Sequence, residues 1–171
     1  MNSAHKFNSP QEAMIFFSAS CVKKGFVYEA LHAYLDAEGE PIYWRMRYKH
    51  SDGRKWIRPL CLDADGYRMS EPESFKDTIK PLYGLHLLTK YPNARVWIVE
   101  GEQCVDELNQ FFENEKCLND NIAVTSGGAT SAKDADWTPL RSRISCVWPD
   151  NDEIGYKYAN DVVEILQRFW L

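Results

Sequence analysis

No apolar run in this 171-residue chain reaches the length of about 20 residues that crosses a bilayer. The N-terminus, Met1-Asn2-Ser3-Ala4-His5-Lys6, also lacks the apolar core of a signal peptide. No membrane partner is expected, and the expected location is cytoplasmic. Paired cysteines are missing too: Cys21, Cys61, Cys104, Cys117 and Cys146 are odd in number, widely spaced and without a Cys-x-x-Cys. That excludes a disulfide framework and a sequence-local zinc finger, leaving reduced, mostly core thiols. His5, His32, His50 and His86 are equally scattered, none at metal-ligand spacing. No Gly-x-x-x-x-Gly-Lys-Ser/Thr loop occurs, so no P-loop motor is encoded. An excess of positive charge is also lacking: the net charge of −5 argues against a surface that grips nucleic acid everywhere.

What is present is the composition of an ordinary globular domain, 44% hydrophobic and 26% charged, in a chain long enough for a real core. The charge is unevenly placed. Between residues 41 and 68 the bases Arg45, Arg47, Lys49, Arg54, Lys55, Arg58 and Arg68 outnumber the acids Asp52, Asp63 and Asp65. From Glu100 onward acids dominate.

Ser9-Pro10-Gln11-Glu12 has the form of a capping box, and Gly25 closes the helix that follows, with Met14, Phe16 and Phe17 as core candidates. Residues 27 to 69 read as antiparallel strands joined by glycine turns at 36–39, 51–53 and 63–66. Within them Trp44, Met46 and Tyr48 alternate with Arg45, Arg47 and Lys49, giving an apolar face and a basic face. Basic residues interleaved with aromatics track single-stranded nucleic acid; the plainer alternative is a solvated face on a small sheet. Residues 70 to 88 show little regularity. After them comes an α/β alternation: strand 95–99, helix 104–115, strand 122–125, a short helix near 137–141, strand 144–148 and helix 154–169. The expected organisation is an N-terminal helix with an antiparallel β extension over 1–94, and an α/β domain with a mainly parallel sheet flanked by helices over 95–171.

Two of those strands run straight into acid. Val96-Trp97-Ile98-Val99 ends on Glu100-Gly101, and Ile144-Ser145-Cys146-Val147-Trp148 ends on Pro149-Asp150-Asn151-Asp152. Ligands of parallel α/β sheets gather at the carboxyl ends of the strands. Three carboxylates meeting there repel one another unless a cation sits among them, and few hard oxygen ligands favour Mg²⁺ shared with a phosphate substrate. The alternative for Asp152 is a cap on the helix that starts near Ile154. Ser126-Gly127-Gly128, after another strand, is either a weak phosphate-binding turn or a plain loop.

The Glu-Gly strand with its following helix, and the strand ending in Asp150-Asn151-Asp152, resemble the two signatures of the Toprim domain. Thr125-Ser126-Gly127-Gly128, Trp137-Thr138-Pro139-Leu140 and the upstream Pro81-Leu82-Tyr83 are similar to the version in primase and primase-helicase proteins of phages, plasmids and other mobile elements. The resemblance implies a Rossmann-like fold that binds Mg²⁺ or Mn²⁺ and makes or breaks phosphodiester bonds. By that correspondence Glu100 is the general acid or base, or a metal ligand, while Asp150 and Asp152 hold the metal. It implies single-stranded DNA or primer-template and nucleotides as substrates, led in by Arg45, Arg47, Lys49, Arg54, Lys55 and Arg58, and a helicase or other replication or defence protein as partner. A nuclease is the nearest enzyme alternative, and a non-catalytic Toprim module that docks on another protein is the rival of a different class. Many Toprim signatures carry an Asp four residues after the Glu. Here that place is Cys104, with Asp106 as a nearby substitute.

Overall fold

In a computed structural model that describes residues 5–76 and 78–169, Ser9 opens helix α1 (Pro10–Val22) as its capping pattern predicts. Its hydroxyl accepts the Glu12 N–H at 3.2 Å, and the Glu12 carboxylate accepts the Asn8 N–H at 3.0 Å. Pro10 sits in the first turn, where its missing N–H costs nothing. Gly25 follows the helix at φ +87°, a left-handed conformation that favours glycine.

The chain divides into two compact units, Met1–Tyr34 with Pro41–Asp77, and Leu35–Glu40 with Thr78–Leu171. The first holds a four-stranded sheet in the order β1 (Phe26–Leu35), β2 (Pro41–His50), β3 (Lys55–Asp63) and β4 (Gly66–Arg68), with β2–β3 and β3–β4 antiparallel. Met46, Tyr48 and Leu60 join Ala13, Met14 and Cys21 of α1 in its core. The buried Tyr48 hydroxyl donates to Ser18 Oγ at 2.7 Å, so this polar contact is satisfied inside the apolar layer. Phe16, expected in that core, is instead 51% exposed; only Met14 and Phe17 of the expected three belong to it. The Phe16 ring lies on His5 and Phe7, at centroid distances of 4.7 and 5.2 Å.

The second unit is built on a three-stranded parallel sheet in the order β6 (Asn121–Val124), β5 (Arg95–Ile98), β7 (Ser145–Val147). Its helices are α2 (Leu85–Lys90), α3 (Glu102–Asn114) and α4 (Glu153–Gln167). The chain is therefore mixed α/β, a parallel sheet with helices in one unit and a helix on a second sheet in the other. Val96 and Ile98 of the central strand are wholly buried among Ile122, Val124, Leu140 and the α4 residues Tyr158 and Val162. The expected boundary at 94/95 falls inside this unit. Leu82, Leu88 and Ala94 share its core, and Tyr83 exchanges backbone hydrogen bonds with Thr125 at 2.8 and 3.2 Å. The segment 70–88, which carried little regularity in sequence, supplies α2 and this bridge. Among the described residues no helix is long and apolar enough to cross a membrane.

Candidate functional site

Parallel pairing decides which acids share an edge. Ile98 stands opposite Val147, and the Trp148 N–H donates to the Ile98 carbonyl at 2.8 Å, so β5 and β7 end together. Glu100 and Asp150 lie just beyond those ends. The backbone thus brings both to the carboxyl edge of hydrogen-bonded neighbours, where open α/β sheets place their ligands.

The two carboxylates differ in surroundings. Glu100 is half-buried, its Oε2 is shielded from solvent, and its carbonyl accepts from Thr125 Oγ1 at 2.8 Å. Under it lies the wholly buried Tyr158, whose hydroxyl donates to the Val99 carbonyl at 3.3 Å. Burial raises the pKa of this phenol, and the Glu100 charge adds to the rise. Asp150 is exposed. Asp152 is exposed too, but its Oδ1 accepts the Gly155 N–H at 2.7 Å as the N-cap of α4, the alternative role open to it from sequence.

Asp106 does not join this edge. On α3 it faces a different cleft, where the Tyr83 hydroxyl donates to its Oδ1 at 2.7 Å. Burial, then the Asp106 charge, pushes the Tyr83 pKa well above the ordinary phenol value. Cys104, Glu107 and Phe111 follow the helical i, i+3, i+7 spacing onto the other flank of α3 and line a cleft of about 320 Å³ with Trp148 and Asp150.

The Ser126-Gly127-Gly128 turn closes on itself. The Gly127 N–H donates to Thr125 Oγ1 at 3.1 Å, Ser131 Oγ donates to the Ser126 carbonyl at 2.9 Å, and Ser126 Oγ meets the Tyr158 hydroxyl at 3.1 Å. Those bonds brace the ends of β5 and β6 rather than form an open anion cradle.

The basic residues divide. Arg45, Arg47 and Lys49 alternate onto one face of β2, and Lys55 stands directly opposite Lys49. Arg58 stands opposite Met46, so the register separates it from that face and turns it to the side packed on α1; its guanidinium lies over Trp56 at 5.5 Å. Arg47 is paired with Glu29 at 2.8 Å, and Arg54 with Asp52 at 2.8 Å in the turn before β3. Arg47 and Arg54, both expected as phosphate contacts, are thus matched by acids of the same unit.

As ligands for Mg²⁺ or Mn²⁺, Glu100, Asp150 and Asp152 are hard oxygen donors of the right kind. Among the described residues no group of three or more His, Cys, Asp and Glu is placed to hold a metal ion. Mg²⁺ is ordinarily held by one or two carboxylates together with substrate phosphates, so a pair at adjoining strand ends suits it without a third. The donor set fits a cation that arrives with a phosphate, and it does not fit one caged by protein alone.

Sequence reasoning placed Thr125 in a motif without giving it a site role, and missed Tyr158 and the cleft beside Asp150. The spacing Gly155, Tyr158, Val162 marks the inner face of α4 and was the available signal for Tyr158. Comparison with known protein families, with curated proteins and with solved structures finds no match in any of the three.

Proposed function

We propose that this chain is a Toprim-like domain that carries out metal-dependent phosphoryl or nucleotidyl transfer on nucleic acid. The observation that carries the reading is the placement of Glu100 and Asp150 at the carboxyl ends of adjacent parallel strands. Asp150, exposed, is the ligand that meets an Mg²⁺ or Mn²⁺ ion brought in with a phosphate. The bound ion supplies charge neutralisation at phosphorus. Glu100, half-buried and braced through Thr125, takes or returns the proton of the attacking or leaving hydroxyl. Asp152 serves this edge indirectly, by capping the helix that follows it. Arg45, Lys49 and Lys55 on the basic face of β2 and β3 bind the phosphates of a single strand. In its fuller form the reading is the catalytic portion of a mobile-element primase, acting in the cytoplasm on primer-template and nucleotides beside a helicase. Five cysteines, none in a disulfide, suit a reducing compartment.

Primer synthesis and plasmid nicking, each with Mg²⁺ or Mn²⁺, test the reading and separate primase from nuclease. Glu100→Gln and Asp150→Asn are expected to lower the metal-dependent rate about 10²- to 10⁴-fold, as loss of a proton-transfer group or ligand does. Asp152→Asn keeps a capping side chain and is expected to retain most of it. Full activity in the Glu100 and Asp150 variants would sink the proposal. The second reading, a non-catalytic Toprim-like docking module, is favoured by one observation: the Asp152 carboxylate is engaged as a cap. It predicts no turnover in either assay and a biological effect that survives neutralisation of Glu100.

A further inference from the structure

We propose that the cleft between the end of β7 and α3 receives an arginine side chain of a partner protein. Its floor is apolar, from Val99, Leu108 and Pro149, and its rim carries two large exposed rings, Trp148 at 57% and Phe111 at 55% exposure. Those rings are held in place. Trp148 leans on Trp97 at 5.7 Å between centroids, and Trp97 Nε1 donates to Asn121 Oδ1 at 3.0 Å. Trp97 in turn meets Phe112 at 6.4 Å, and Phe112 meets Phe111 at 5.9 Å. The band of aromatics reaches from one wall of the cleft to the other.

The polar lining has one sign. Glu107 and Asp150 present carboxylates, which only accept, and among the described residues no cationic side chain lines the cleft. Glu107 is oriented by Gln103, whose amide donates to its Oε1 at 3.1 Å. A flat cation that stacks on a ring and donates several N–H bonds to carboxylates is the chemistry such a lining complements, and the guanidinium group provides it. Without a bridging cation a nucleotide is disfavoured by its phosphate: both charged groups in the cleft are acids, and over residues 78–171 acids outnumber bases fourteen to nine. An exposed Trp beside an apolar pocket is also the usual make-up of an energetic centre in a protein interface. The inference goes beyond the phosphoryl-transfer reading: Asp150 is common to both, but Glu107 and Trp148, on which the test rests, have no part in that chemistry.

Cys104 lines the cleft and is the exposed cysteine of the five, so its alkylation by iodoacetamide reports occupancy. The full chain is treated with the reagent alone, with acetyl-Ala-Leu-Arg-Leu-Ala-amide, with the same peptide carrying citrulline for arginine, and with guanosine monophosphate. Modification of Cys104 is read by mass spectrometry. The arginine peptide is expected to slow it about threefold or more once its concentration exceeds the dissociation constant. The citrulline peptide, of equal shape and no charge, is expected to leave the rate unchanged, and Glu107→Gln and Trp148→Ala are each expected to abolish the protection. Glu107 is a surface side chain, so its variant stays informative if the Trp148 variant fails to fold. No protection by the arginine peptide, or equal protection by citrulline, overturns the proposal. Stronger protection by the nucleotide, or slowing that depends on the concentration of the chain alone, also overturns it and assigns the cleft to a nucleotide or to a second copy.

Discussion

Asp152 shows how one side chain can carry two readings of a sequence, of which the fold displays the cap. An Asp two residues after another acid at a strand end reads as a metal ligand, yet it also stands where α4 needs a cap, and its Oδ1 bonds the Gly155 N–H. Asp152→Ala is expected to cost about 1 kcal/mol in chemical denaturation, with Asp152→Asn near wild type, because Asn caps almost as well. Loss of stability in both variants alike would point to charge rather than the cap. Gly155 is constrained by space, not by its backbone angles: a Cβ there would collide with the Asp150 carbonyl oxygen. Gly155→Ala is expected to destabilise by about 1–3 kcal/mol, as overpacking does, and to displace the Asp150 segment. A variant crystal structure with that segment unmoved would contradict it. Both positions were visible in sequence as a helix start, but the collision depends on how the chain folds back between 150 and 155.

Helix α3 does more than connect two strands. Asn109 closes the outer edge of β6, its amide donating to the Ala123 carbonyl at 3.1 Å and its Oδ1 accepting the Ala123 N–H at 2.7 Å. In effect one side chain replaces the missing neighbour strand at that point. Asn109→Ala leaves a buried N–H and C=O without these partners and is expected to cost about 1–3 kcal/mol, read from the denaturation midpoint. On the first sheet, Lys49 and Lys55 face each other directly, an arrangement of like charges that destabilises a strand pair. Lys55→Glu is expected to gain about 0.2–1 kcal/mol in stability and to weaken single-stranded DNA binding. Unchanged DNA affinity in that variant would remove the basic face from the proposed function. The alternation of β2 was readable residue by residue. That Arg58 falls on the opposite face was not, because its face follows from which residue of β2 it pairs with.

Titration of buried groups bounds the stability of the whole chain on both sides of neutral pH. Tyr48, Tyr67, Tyr83 and Tyr158 all have pKa values raised, by burial first in each case. A phenol harder to ionise when folded than at its ordinary value of 10.0 contributes stability that is whole below pH 10 and is lost as the pH climbs above it. His86 is shifted the other way, its pKa lowered below 6.5 by burial and then by Lys90. Its contribution is present above pH 6.5 and fades as the pH falls below it. Denaturation midpoints measured from about pH 5 to about pH 11 are expected to form a plateau with a fall at each end. Tyr83→Phe should flatten the alkaline fall, and an unchanged alkaline slope would count against its share.

The helix caps, the turn glycines, the alternation along β2 and the two strands that run into acid were all set locally, by side chains within a few residues of one another, so the chain carried them legibly. Which strands become neighbours is a different matter. Within the order β6-β5-β7, the β5–β7 pairing joins residues some fifty positions apart, and that pairing, with the rotation of α3 against β6, brings Glu100 and Asp150 to one sheet edge, turns Asp106 to Tyr83, and assembles Trp148 with Phe111 around one cleft. Such contacts arise from packing of a shared core rather than from any short stretch of chain. For that reason the acids were nameable in advance, while the company each one keeps was settled only in three dimensions.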